Sequence, residues 1–182
     1  VAETTVVQSW EGMGANGASV FFFDLLDSAG TQIVRVFGKS GRNLFYKTNA
    51  ATGDNAMSSA AVLLDGMEIT IKMALNLSQN KVELSMTTPR ATTLGSAAAN
   101  FSLSAENGVE TLKSTGTINL KSSGTFTDVK TIRFGYAGYN GAAYYKNVKV
   151  GKQQTIQQEK VNVSEDFQTN AAYTTDMTAL QL

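Results

Sequence analysis

Residues 67–87 read M-E-I-T-I-K-M-A-L-N-L-S-Q-N-K-V-E-L-S-M-T, and they decide the fold. Met67, Ile69, Ile71, Met73, Leu75 and Leu77 alternate with Glu68, Thr70, Lys72, Ala74 and Asn76. A period of two held over eleven residues describes a long strand with one face in a core and the other in water. Ser78-Gln79-Asn80 has turn chemistry. Val82, Leu84 and Met86 then alternate with Lys81, Glu83, Ser85 and Thr87, which completes a β-hairpin.

The neighbouring sequence follows the same logic. Ser19 to Leu26 (S-V-F-F-F-D-L-L) is almost continuously apolar and is expected to be a central strand covered on both faces. Asp27-Ser28-Ala29-Gly30 turns the chain, Gln32 to Phe37 returns antiparallel, and a second turn leads into Asn43 to Thr48. Further strands are expected over 60–64, 100–105, 115–120, 130–136, 143–150 and 155–163. No stretch sustains a 3.6-residue period with caps; 93–100 has room for a single helical turn. Roughly a dozen hairpin-linked strands predict an all-β, antiparallel two-sheet β-sandwich, with a closed barrel as the alternative. The sandwich is expected to span residues 1–163. Residues 164–182 then either add a strand that completes it or begin a neighbouring module.

Composition narrows the chemistry. The 182 residues suffice for one domain with a real core. Cysteine and histidine are both absent, which removes disulfides, thiolate sites, Ser-His-Asp arrangements and histidine–metal clusters. Thr, Ser and Asn together number 49, a mixture that suits strands and turns and is common in secreted bacterial proteins. No apolar run approaches the roughly 20 residues of a membrane span. Val1 is not an initiator methionine, so the chain is expected to be processed or cut from a longer one, and the expected location is secreted or cell-surface.

Zero net charge conceals an uneven distribution. Residues 1–112 hold seven basic and ten acidic side chains, whereas 113–152 hold seven basic residues against Asp128 alone. Such a stretch either dots solvated strand faces or meets an anionic polymer. Nucleic acid is not expected as a partner, because the pI is about 6.5 and neither a recognition helix nor an aromatic RNA-binding motif is present.

Three segments carry a resemblance to a known family. F-F-F-D-L-L-D-S-A-G-T-Q (21–32), the long hairpin over 63–86, and I-R-F-G-Y followed by A-A-Y-Y-K-N-V-K-V (132–150) occur in this order. The set resembles the concanavalin A-like, or laminin-G-like, jelly-roll domains of secreted bacterial glycan-active proteins. That resemblance implies a jelly roll, a polysaccharide or oligosaccharide partner and flanking domains in a larger secreted protein. Many relatives hold a structural calcium through a closing acid. Lys146 occupies that position, and a cation there repels Ca²⁺, so no cofactor is expected. Glu165 and Asp166, in a V-S-E-D-F-Q-T segment similar to the family's opening motif, are the carboxylates left for a metal.

Catalysis is not expected. A retaining glycosidase needs two carboxyls about 5–5.5 Å apart, and no strand offers acids at i and i+2 or i+4. The lyases of this fold use a histidine that the chain lacks. Binding without chemistry suits the residues better, since aromatic rings pack on sugar C–H faces and polar side chains read hydroxyls. The expected ligand contacts are Tyr136 and Tyr139 in a glycine-rich loop, and Tyr145 on the face opposite Tyr144, Val148 and Val150. Arg133 and Asn147 join them, and Tyr46 and Arg35 extend the site on the adjoining sheet. Trp10 is either a sugar platform in a loop or a plug at one end of the sandwich. Lys146 and Lys149 would favour a uronate. Loss of Tyr136 or Tyr145 is expected to weaken glycan binding with little change in stability. The alternative to a carbohydrate-binding module is a structural or adhesin domain.

Overall fold

The computed structural model describes residues 1–9, 19–39, 43–58, 66–89, 95–115, 118–136 and 142–152. The chain divides into two compact units, Val1–Lys152 and Gln153–Leu182, and every described residue lies in the first. The described residues are all-β and form two antiparallel sheets. The larger runs β12 (Ala142–Val150), β1 (Ala2–Ser9), β6 (Glu68–Asn76), β7 (Lys81–Thr88), β9 (Val109–Ser114) and β8 (Phe101–Glu106), with short β10 (Ile118–Asn119) also pairing with β7. The smaller runs β11 (Thr131–Tyr136), β2 (Ser19–Leu26), β3 (Gln32–Lys39), β4 (Asn43–Thr48) and β5 (Asn55–Ala56).

Between them lies one apolar core. Phe21, Phe23, Val36 and Leu44 of the smaller sheet join Val6, Ile69, Ile71 and Leu84 of the larger, all completely buried. Each such side chain contributes about 1.5–3 kcal/mol when withdrawn from water. The β6–β7 hairpin alternates as its sequence dictates: Ile69, Ile71 and Met73 point inward and Glu68 and Lys72 outward. Its turn is closed by Asn80, whose φ of 56° an asparagine tolerates. The Asn80 side chain then behaves as a length of strand. It accepts from the Lys121 amide at 2.9 Å and donates to the Lys121 carbonyl at 2.8 Å.

Among the strands that alternation did not reveal are β1 and β9. Strand β1 turns Ala2, Thr4 and Val6 inward, and a buried threonine hides the period. Thr4 is tolerated because its hydroxyl donates to the Lys146 carbonyl. In β9 the inward residues are Glu110, Leu112 and Ser114, so one aliphatic side chain carries the face. Ser114 Oγ accepts the Leu84 amide at 2.8 Å. Of the strand expected over 115–120, Ile118–Asn119 is extended and paired with β7, and 116–117 lie outside the described residues. Residues 95–100 contribute a bridge at Ala97 and a turn rather than a helix. The expected strands at 60–64 and 155–163, and the acids Glu165 and Asp166, lie outside the described residues.

A bulge changes the reading of the closing strand. Glu3 pairs with Lys149 and Thr5 with Lys146, so Thr4 faces two residues, Asn147 and Val148. Asn147 has a φ of 55°. The extra residue inverts the alternation. Tyr145 lies across from Val6 and Val150 across from Ala2, and both partners are buried. Tyr145 and Val150 therefore share a face, where strict alternation placed them apart.

Tyr145 points into the sandwich, which corrects the expectation of an open ligand contact. Its ring meets Phe134 at 5.0 Å, and its hydroxyl reaches the carbonyls of Phe22 at 2.9 Å and Gly135 at 2.7 Å. One phenolic proton is shared by two acceptors on β2 and β11, tying the larger sheet to the edge of the smaller. Burial pushes this phenol up to about 12. The folded value lies above the ordinary value near 10, so the contribution is complete below about pH 10 and is lost as pH climbs toward 12. With water reaching part of the ring, the loss is expected to be about 1–2 kcal/mol. Tyr145→Phe is expected to cost a similar amount at neutral pH and to flatten this alkaline limb, as read from urea melts between pH 8 and 12.

Candidate functional site

The outer face of the smaller sheet carries two adjacent rows of side chains. Register places Arg133, Asp24, Arg35 and Lys47 side by side across β11, β2, β3 and β4. Two residues along, Gly135, Phe22, Phe37 and Phe45 form a parallel row. Asp24 is fully buried at the centre of the first row. Arg35 grips it with both ends of its fork, Nε to Oδ1 at 2.7 Å and Nη2 to Oδ2 at 2.8 Å. Arg133 directs Nε and Nη2 to Oδ2 alone, at 3.0 and 2.7 Å. The Asp24 hydrogen bond holds the Arg35 guanidinium above its ordinary value despite burial, so it stays charged.

Aromatic packing fixes the two guanidiniums. Arg35 lies 4.5 Å above the Phe22 ring and Arg133 5.8 Å from it. Phe22 in turn lies over Gly135, where a Cβ would come within 2.0 Å of Phe22 Cζ. Phe37 stacks on Phe45, and Lys39 covers Phe45 while pairing with Asp54. Arg35 and Arg133 thus belong to one sheet and one cluster, whereas Tyr145 and Asn147 belong to the other sheet.

Tyr136 ends β11 instead of opening the glycine-rich loop. It pairs with Phe21 and packs against the core, because Ile132, Phe134 and Tyr136 share the inward face of that strand. Asn147 is the exposed bulge residue, chosen by backbone conformation. Tyr139 and Trp10 lie outside the described residues. The basic stretch is largely neutralised. Lys113 pairs with Glu83, Lys146 with Glu68, Lys149 with Glu3 and Arg133 with Asp24, while Lys121 lies over Phe126. Its excess charge answers the acidic excess of residues 1–112, and Lys146 and Lys149 are committed across strands instead of awaiting a uronate.

A second feature lies at one end of the sandwich, on the inward side of β4. Tyr46, Thr48, Asn100, Ile118 and Asn119, with Ala50 and Ala51, line an open cleft of about 210 Å³. Tyr46 and Thr48 share the inward face of β4 by alternation. Thr48 is 2% exposed, and its hydroxyl has no hydrogen-bond partner. Burial raises the Tyr46 phenol, and its ring leans on Phe101 at 5.7 Å. Asn119 presents an amide whose oxygen accepts from Lys81, and Asn100 stands at a φ of 71°. Among the described candidates from sequence, only Tyr46 reaches this cleft. Thr48, Asn100 and Asn119 escaped notice because nothing in a Thr- and Asn-rich sequence sets these three apart.

Among the described residues no three acids gather to hold a metal ion, and no helix is long and apolar enough to cross a membrane. Comparison of the chain with protein-family models, with curated proteins and with solved structures finds no match.

Proposed function

We propose that this β-sandwich is a non-catalytic carbohydrate-binding module of the concanavalin A-like, jelly-roll kind, secreted or displayed at a cell surface, and that a sugar ring enters the cleft at the end of β4. The observation that carries this reading is the Thr48 hydroxyl, buried without a partner in the wall of a cleft that mixes polar and apolar side chains. Such a group costs the fold about 1–3 kcal/mol, and a small rotation of the Thr48 side chain on ligand entry would bring it to a ligand hydroxyl that offsets the cost. Tyr46 adds a second hydroxyl and an aromatic edge, Asn100 and Asn119 add amides, and Ile118 adds an apolar wall. About 210 Å³ is smaller than the usual drug-sized site and suits one ring of a polysaccharide or oligosaccharide.

The test separates binding from stability. Thr48→Val keeps the shape and removes the unpaired oxygen, so the variant is expected to melt at the same or a higher temperature. In calorimetric titration with the best glycan from a polysaccharide panel, it is expected to bind at least tenfold more weakly, as is Tyr46→Phe. Ser58 also has an unpaired buried hydroxyl but does not line the cleft, so Ser58→Ala is expected to leave affinity unchanged. Undiminished affinity in both cleft variants would remove the site. The structural or adhesin reading draws on the larger sheet, whose outer face is closed by the ion pairs Glu3–Lys149, Glu68–Lys146 and Glu83–Lys113.

A further inference from the structure

We propose that the Arg133–Asp24–Arg35–Lys47 row is a second binding site, on the face of the smaller sheet turned away from the cleft, and that its ligand is a linear polysaccharide carrying carboxylate or sulfate groups laid across the strands. Strands lie about 4.8 Å apart, so the two arginine Cα atoms are roughly 10 Å apart and Lys47 stands one strand further on. Asp24 does not cancel the row. It is fully buried and saturated by four donor contacts, and two arginines and a lysine outnumber it. Toward the described residues each guanidinium uses only Nε and Nη2, both on Asp24, which leaves Nη1 and one proton of Nη2 for a ligand oxygen. Both are preorganised by the buried carboxylate and by Phe22, so little side-chain entropy remains to be lost on binding.

Access and charge agree with that role. The Arg133 side chain is 49% exposed on the edge strand β11, and Lys47 is exposed with no acid paired to it among the described residues. Asp54, a further acid close to this face among the described residues, is taken by Lys39. A glycan fits better than another polyanion because the cation row is flanked by the aromatic row. The half-buried Phe22 and Phe45 rings there offer apolar edges to sugar C–H groups.

The site is tested on the full chain with polygalacturonate and heparin as probes, and with dextran and double-stranded DNA as comparisons. Polygalacturonate and heparin are the carboxylate and sulfate arms. The expected result is binding of at least one of them, with no binding of dextran at this face and weaker binding of DNA at equal charge concentration. Lys47→Gln is expected to lower the affinity about fivefold and to reduce the salt dependence by about one counterion. Lys47 is exposed, so this variant keeps its fold. Arg133→Gln is expected to lower affinity further. Thr48→Val is expected to leave polyanion binding intact, so failure of the cleft and failure of the row are separable. Lys72, exposed on the other sheet, is the control: Lys72→Gln is expected to change nothing. Equal losses in Lys72→Gln and Lys47→Gln, unchanged affinity in Lys47→Gln, or DNA bound as tightly as either glycan would overturn the proposal.

Discussion

Arg35→Ala is expected to destabilise the sandwich by about 3–5 kcal/mol, the usual loss when one partner of a buried ion pair is removed. The size follows from what remains. Asp24 is fully buried, and without Arg35 its Oδ1 has no donor among the described residues while Arg133 still serves Oδ2. Arg133→Ala leaves the two-point Arg35 contact intact and is expected to cost only about 1–2 kcal/mol. Its side chain is half exposed, so less desolvation is at stake. Urea melts of the two variants at neutral pH give the order, and equal losses would mean that Asp24 does not depend on the two-point contact. In an Asp24→Leu background the Arg35→Ala penalty is expected to fall below about 1 kcal/mol, because no buried charge is left to strand.

That cluster shows how much of the site was legible. Asp24 sits inside F-F-F-D-L-L, Arg35 inside I-V-R-V-F and Arg133 inside I-R-F, each a lone charge in an apolar strand. A charge so placed must be paired or face water, which identifies each residue as special but not its partner. The partnership is set by register, which places Asp24 across from both Arg35 and Arg133 over sequence separations of 11 and 109. Asp24 has no second acid on its own strand, so the sequence offers no local sign of its role. Local spacing cannot report a pairing made across strands.

The fold was more legible than the site, and for a physical reason. Where inward residues are large and aliphatic, as in β6 and β7, alternation states both the strand and its buried face. Where hydroxyls and a carboxylate face inward, as at Thr4, Glu110 and Ser114, the period vanishes although the backbone is equally extended. The closing strand failed in a third way. A one-residue bulge at Asn147 reverses the face, so a regular reading of 142–150 is right on one side of it and inverted on the other. Tyr145 thereby changes from a surface contact to the strut between sheets, and its removal is expected to cost stability as well as any binding.

Gly135→Ala is expected to destabilise the protein by about 3 kcal/mol in the same melts. Nothing in its backbone demands glycine, since no positive φ is involved; the demand is for space. The added carbon would lie 2.0, 2.4 and 2.8 Å from Phe22 Cζ, Cε1 and Cε2, so the ring itself must leave. Overpacking of this kind costs about 1–3 kcal/mol. Displacing the ring also removes the surface on which Arg35 lies, worth about 0.5–1 kcal/mol, and disturbs the two carbonyls that hold the Tyr145 hydroxyl. The decisive measurement is the same substitution after Phe22→Ala. With the ring gone, alanine in a strand is favoured over glycine by roughly 0.5–1 kcal/mol, because less backbone entropy is lost on folding. The substitution is therefore expected to change sign, from destabilising in the native background to mildly stabilising in the truncated one. A loss of similar size in both backgrounds would assign the cost to the β11 backbone, and glycine's place beneath Phe22 would then have another cause.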